Sequence, residues 1–218
     1  MKKMGKTTEK IIKGKDTGSV GIGAMIVFIA MVLVAGIAAS VLIQTSTRLE
    51  MQALKTGQET IAEVASGLKV EAVEGFNSSG SVTKMAIEIS SRAGSPDVDL
   101  AQTVIEISDS SKKYVLTYGA SLVNVTSIDG SIFDVSNFGD ADDFDLIVLQ
   151  DADSSCTEDN PIINFGDHVI LAVDTSSVFS GLSPRTDVSG LVISEEGAPG
   201  IIGFTTPSSY TKPVMELQ

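Results

Sequence analysis

Tryptophan is absent from this chain, aromatics make up 5% of it, and its 218 residues include one cysteine and one histidine. The lone Cys156 excludes an intramolecular disulfide and any CxxC pattern for metal or redox work. A single imidazole, His168, leaves no His–His metal pair, and no HExxH, GxSxG or glycine-rich phosphate loop is present. His168 follows Asp167 at the head of an apolar run, where a strand-end histidine is a simpler reading than a catalytic one. Basic residues are also scarce, 15 against 28 acidic. Six of the fifteen (Lys2, Lys3, Lys6, Lys10, Lys13 and Lys15) crowd into residues 1–18, beside only Glu9 and Asp16. Residues 19–218 therefore keep nine basic and 26 acidic groups, a formal net charge of −17. Such a body lacks the basic surface that phosphates require, so nucleic acid is not a partner. It suits a salty or extracellular setting, where like charge maintains solubility and salt screens the repulsion.

The longest gap concerns charge of either sign, which is missing from Thr17 through Thr47. Within it lies an unbroken, weakly polar block of 22 residues, Ile22–Ile43. At about 1.5 Å per residue that block spans roughly 33 Å, enough to cross a bilayer. Its apolar residues surround the helix without a polar stripe, so every side needs an apolar neighbour, either lipid or other helices. About fifteen large side chains between Val20 and Ile43, at roughly 1.5–3 kcal/mol each, favour withdrawal from water by on the order of 20–45 kcal/mol gross. Moving from lipid to a helix bundle gains little hydrophobic energy, so association must rest on packing. Small residues four apart, Ala35/Ala39 and Gly36/Ser40, would let backbones approach, unless they are simple helix filler.

Three fates are open to this segment. A secretory signal has an apolar core of roughly 7–15 residues, shorter than this one, although Ala38-Ala39-Ser40 is a weak cleavage match. A signal anchor would keep the Lys-rich leader inside and the acidic body outside. The third fate is cleavage ahead of the block, so that the block becomes the mature N-terminus. Gly18 ends the leader and Ser19-Val20-Gly21-Ile22-Gly23 opens the block. This arrangement resembles the class III, type IV prepilin-like signal. The run Gly21–Ala35 followed by Ala38-Ala39-Ser40-Val41-Leu42-Ile43 resembles the start of archaeal flagellins (archaellins) almost residue for residue. Asp16-Thr17 replace the basic residues usual before the cleavage glycine. At the fifth mature position, where bacterial-type pilins carry Glu, stands Gly23, which points toward archaellins. Gly166-Asp167-His168-Val169, Pro184-Arg185-Thr186, Glu196-Gly197-Ala198 and Leu217-Gln218 also resemble archaellin C-terminal halves, leaving about 75–160 without a match.

The resemblance implies cleavage between Gly18 and Ser19 by a prepilin-type membrane peptidase, with the precursor waiting in the cytoplasmic membrane. It implies export through the archaellum motor platform and polymerisation with itself and other archaellins into an extracellular filament for swimming, with adhesion as a further role. Ile26, Phe28, Ile29, Val32, Leu33, Val34, Ala35, Gly36, Ala39 and Leu42 would form the filament core. No cofactor is needed and no enzyme activity is implied. An adhesive type IV-like archaeal pilin, or a membrane-anchored surface binding domain, remains as the alternative.

Past Arg48, Leu54, Ile61, Val64 and Leu68 recur at helical spacing between Glu50, Lys55, Glu59 and Glu63. The expected organisation is a leader over 1–18, a long helix over 19–70 that packs on one face beyond Arg48, and an extracellular β domain over 71–218. Gly57 and Gly67 would each weaken the helix by about 1 kcal/mol. Short β-rich runs at 84–91, 98–108, 113–118, 144–149, 168–174, 189–194 and 201–205, with no helices between them, predict an antiparallel, immunoglobulin-like sandwich. The fold class is thus α+β.

Two further features carry candidate chemistry. Asp140, Asp142, Asp143 and Asp145, followed by Asp151, Asp153, Glu158 and Asp159, concentrate carboxylates, the oxygen donors calcium or another divalent cation takes, with the first four as the candidate ligands, though the EF-hand pattern is absent and a solvated acidic loop is the plainer reading. Asn77-Ser78-Ser79 and Asn124-Val125-Thr126 are N-glycosylation sequons, and the family resemblance implies that such sites are used.

Overall fold

The computed structural model describes residues 4–218, with side chains described from Gly18 onward except Ala62 and Ala65. The chain divides into two units, residues 1–57 and 58–218. The helix α1 runs unbroken over Met4–Ala65. It begins earlier than the expected residue 19 and stops five residues short of the expected 70. The stop has a local cause. Gly67 adopts φ +128, open to glycine, and a Cβ there would strike the Ala198 backbone. The chain is pinned at this point: Ala198 N donates to Ser66 O at 2.9 Å, and Arg92 N to Gly67 O at 3.0 Å. Gly67 is therefore a helix terminator rather than a weak helical position.

Leu68, expected at the end of the helix, is fully buried as the first residue of β1 (Leu68–Ser78). There follow β2 (Ser81–Ser91), β3 (Val98–Asp99), β4 (Val104–Ser108), β5 (Lys113–Asn124), β6 (Asp143–Gln150), β7 (Ile162–Ile163), β8 (His168–Val173), β9 (Asp187–Ile193), β10 (Gly200–Thr205) and β11 (Val214–Glu216). A short helix, α2 (Thr175–Phe179), interrupts the expected all-β order after β8, because the Asp174 carboxylate caps it through Ser176 N and Ser177 N. The expected 98–108 strand is broken by a 3-10 turn over Leu100–Gln102, capped by Asp99.

Nine strands form one sheet in the order β10-β9-β4-β5-β6-β8-β2-β1-β11, and β3 pairs with β7 separately. All pairings are antiparallel except β5–β6, which is parallel. The sheet folds round a single interior lined by Ile87, Ile89, Ile105, Leu116, Phe144, Leu146, Leu171 and Val192. Its two ends meet at the C-terminus, where the Gln218 side chain accepts from Gly203 N at 2.8 Å and donates to Ile201 O at 3.1 Å, both on β10. The immunoglobulin-like description therefore holds only approximately.

The parallel pair requires a crossover, and residues 125–142 supply it across the outside of β2, β6 and β8. Phe133 and Phe138 cover Ala86, Ile147, Ile170 and Ala172 there. Lys84 Nζ fastens the crossover by donating to Phe133 O at 2.6 Å and Val135 O at 3.0 Å, and stands 4.6 Å from the Phe138 ring centroid. Strands β6 and β8 are thus buried on both faces, which accounts for their nearly continuous apolar sequences.

Candidate assembly helix and surface sites

Every described side chain of α1 is exposed. Phe28 is 69% exposed and Leu42 71%, and Ile26, Ile29, Val32, Leu33 and Val34 are similarly bare. Leu54, Ile61 and Val64, expected to pack on one face, are exposed as well. The weakly polar residues closing the apolar block need no water. Thr45 Oγ1 donates to Leu42 O at 2.9 Å and Thr47 Oγ1 to Ile43 O at 3.0 Å, returning both hydroxyls to the helix. The segment Gly18–Ile61 is long and apolar enough to cross a membrane, with a mean hydropathy of 3.0 at its most apolar.

The helix also carries Gly18, Gly21, Gly23, Gly36 and Gly57, and a Cβ at any of these five would touch nothing in the chain. Each glycine costs about 1 kcal/mol of helix relative to Ala. Among the described residues, nothing uses their smallness. The Gly18–Ser19 bond lies within α1, both residues exposed. The side chains of residues 1–17, the basic leader, lie outside the described residues.

Both sequons sit on surface turns of the β domain. Asn77 ends the β1–β2 hairpin, whose connecting residues Ser79 and Gly80 both have positive φ, as a two-residue hairpin loop requires. Asn77 Oδ1 accepts from Gly80 N at 3.1 Å, while Ser78 and Ser79 are exposed. Asn124 is exposed at the end of β5, its Oδ1 accepting from Thr126 N at 3.1 Å and Thr126 Oγ1 at 2.9 Å.

The four carboxylates Asp140, Asp142, Asp143 and Asp145 diverge in environment. Asp140 and Asp142 are exposed, Asp143 accepts from Asp140 N, and Asp145 is buried on the outer face of β6. Burial, with Asp143 and Asp140 nearby, pushes the Asp145 carboxyl up to about 6. Two later members of the acidic stretch draw together instead, joined by Asp167: carboxylate oxygens of Asp151, Asp153 and Asp167 lie within 4.8 Å of one another. These oxygens already hold the loop. Asp151 accepts from Ser154 N at 2.7 Å and Cys156 N at 3.1 Å, and Asp167 from Ala152 N at 3.2 Å and Asn164 N at 2.9 Å. The spacing of the acidic residues could not reveal that Asp151 and Asp167, far apart in sequence, share one loop base. Burial, with Asp151 and Asp167 beside it, pushes the Cys156 thiol up to about 12, so it is an inert buried thiol. His168 Nδ1 lies 3.2 Å from Glu88 Oε1 on the neighbouring strand, a cross-strand pair at a strand start.

A family model described as archaeal-type flagellin matches residues 18–204. Flagellin B2 of Methanocaldococcus jannaschii is 45% identical over 214 residues, covering 96% of this chain and 98% of that protein. Flagellin B1 of Methanococcus voltae is 42% identical, covering 92% and 95%. Among solved structures, the crystal structure of archaeal flagellin FlaB1 from Methanocaldococcus jannaschii superimposes with a TM-score of 0.65 at 36% identity, over 71% of this chain and 98% of that one. The archaeal flagellum of Methanospirillum hungatei strain JF1 shares the fold, with a TM-score of 0.60 at 16% identity, over 89% and 98%.

Proposed function

The chain belongs to the archaeal-type flagellin family, and from that premise we propose that it is a preprotein whose mature form polymerises through α1 into the extracellular archaeal flagellum filament. The supporting observation is α1 itself: apolar on every side between Val20 and Ile43, exposed at every described side chain, and carrying five described glycines at which a Cβ would meet nothing. A helix of that kind is half of a structure whose other half is further copies.

The proposed sequence of events follows from solvents. Lipid first satisfies the apolar surface, with the Lys-rich leader held on the cytoplasmic side. A prepilin-type peptidase then cuts between Gly18 and Ser19, removing the six lysines and leaving Ser19 as the first residue. Ile26, Phe28, Ile29, Val32, Leu33, Val34 and Leu42 supply the packing surface for neighbouring helices. Ala35, Gly36 and Ala39 set how closely they come. The acidic β domains face outward, with Asn77 and Asn124 available for glycan. Work is mechanical: the filament carries torque from the motor platform, and side-chain chemistry plays no catalytic part.

The native N-terminus tests this. Sequencing the native protein recovered from whole cells and medium is expected to give Ser19 first. A start at Met1 would identify a membrane anchor, and one near Val41 a secreted domain; either result overturns the proposal.

A further inference from the structure

From β1 onward, four large apolar side chains stand exposed among the described residues: Val115, Phe165, Ile193 and Ile201. Three of them share one surface, the outer face of β5, β9 and β10. The register places Val115, Glu106, Leu191 and Ile201 in one cross-strand row. Beside it runs a row of small side chains, Ser108 and Ser189, continuing to Gly203. The step between the rows forms a depression of about 370 Å³, lined by Ser108, Ser189, Leu191 and Ile201 together with Glu106 and Lys113. The corresponding outer face of β2, β6 and β8 is covered by the chain's own crossover. This one is left open.

The fourth residue, Phe165, is 80% exposed. Its turn is firmly tied on both sides. Asn164 N donates to Asp167 Oδ2 at 2.9 Å, Asn164 Nδ2 to Asp153 Oδ2 at 2.7 Å, and Ser91 Oγ to Asn164 O at 2.9 Å. A side chain carried on a turn whose backbone is already fixed costs less ordering entropy on docking than one on a loose loop. The turn leads into β8, whose first residue pairs with Gln150 at the end of β6. Because β6 runs parallel to β5, Phe165 lies toward the end of the sheet where β5 finishes, whereas the depression lies over the start of β5.

We propose that Phe165 of one subunit seats in the Ser108–Leu191–Ile201 depression of a second copy within the filament. This rests on the filament reading given above. A helical homopolymer requires two different, complementary patches on every subunit, a heterologous contact that does not close on itself. A knob and a depression at opposite ends of one sheet meet that requirement. Charge permits the contact at the depression. Bodies of net charge −17 repel, but the carboxylate lining the depression is paired, with Lys113 Nζ 2.6 Å from Glu106 Oε2. Area then sets the strength. One aromatic side chain buries about 150–250 Å², well short of the roughly 1,200 Å² that a stable independent complex buries. The contact therefore stiffens copies already held by α1 and does not join free domains.

Site-directed cross-linking in assembled filaments tests it. Filaments of the double variant Phe165→Cys/Ile201→Cys, treated with a short bis-maleimide, should give a ladder of dimers and higher oligomers under denaturing conditions. Either single variant should match the wild type, whose only thiol is the buried Cys156. Phe165→Ala and Ile201→Glu should each assemble filaments that dissociate several degrees below wild type, and the double variant no lower than the worse single. Intact filaments without the ladder, or strictly additive losses, would overturn the contact. Failure of the unmodified chain to form filaments strikes the filament reading itself, and this contact with it.

Discussion

The two parts of this chain use the same residue types in opposite ways. In the β domain, a Cβ at Gly67, Gly139, Gly190 or Gly197 would meet backbone of the same chain, so smallness there is consumed internally. In α1, a Cβ at Gly18, Gly21, Gly23, Gly36 or Gly57 meets nothing. Large apolar residues divide likewise: Ile87, Ile89, Leu146 and Leu171 are fully buried, while Val20–Ile43 present theirs to the outside. The domain's sequence is explained by its own fold. The helix's sequence is not explained by contacts among the described residues; under the proposed function its surroundings are first lipid and then copies of itself.

Placing a charge in the helix should break this contrast most severely. Val34→Asp would bury an unpaired carboxylate among neighbouring helices, at a cost no packing recovers. No filaments are expected by electron microscopy of cells that still produce the protein, and normal filaments would remove α1 from the core. A pair of glycine variants sharpens the contrast further. Gly67→Ala, strained at φ +128 and against Ala198, should cost the domain roughly 3 kcal/mol, read as a lowered melting temperature of the detergent-dispersed subunit. Gly36→Val should leave that melting temperature unchanged while lowering the temperature at which filaments dissociate. If both variants act on the same readout, the division between the two regions fails.

Much of this division was legible in the sequence, because its signals are local. A charge-free run marks α1 whatever surrounds it, and alternation or continuous apolar runs mark β2, β6, β8, β9 and β10. The misplaced boundary had a visible cue. Gly67 follows the last helical turn, but Leu68 continues the spacing of Ile61 and Val64, so periodicity concealed the stop. Strands β7 and β11 hold two and three residues and are too short to show any period. The parallel β5–β6 pair was hidden for another reason. Asp143-Phe144-Asp145-Leu146-Ile147-Val148-Leu149 reads as a strand, yet what covers its second face depends on Phe133 and Phe138 crossing over it. The Asp151–Asp153–Asp167 grouping depends likewise on long-range folding, whereas the Asp140–Asp145 spacing suggested a site through proximity along the chain alone.

Asp145 offers the same comparison at its smallest scale, a buried charge that the domain, unlike the proposed helix bundle, does tolerate. It faces outward from β6 toward the Gly119 backbone, where an added Cβ would lie 2.9 Å from its Oδ1. Burial raises its carboxyl from the ordinary 3.8 to about 6, so above pH 6 the folded state carries a charge that the unfolded state solvates better. Between pH 6 and 3.8 the folded protein takes up a proton and the unfolded chain does not, so this group's contribution to stability improves as pH falls. Glu71 and Asp153 are shifted downward by hydrogen bonds from Lys69 and Ser90 and from Ser155 and Asn164, and lose their contributions in acid. Both remain in an Asp145→Asn variant, so the difference between variant and wild type isolates the one carboxylate. At pH 7 the variant should be more stable by roughly 1–2 kcal/mol, the penalty of holding this carboxylate ionised once solvent screening has reduced it. By about pH 4 the advantage should have gone. Equal melting temperatures at both pH values would mean that the Asp145 charge is already well solvated on the folded surface.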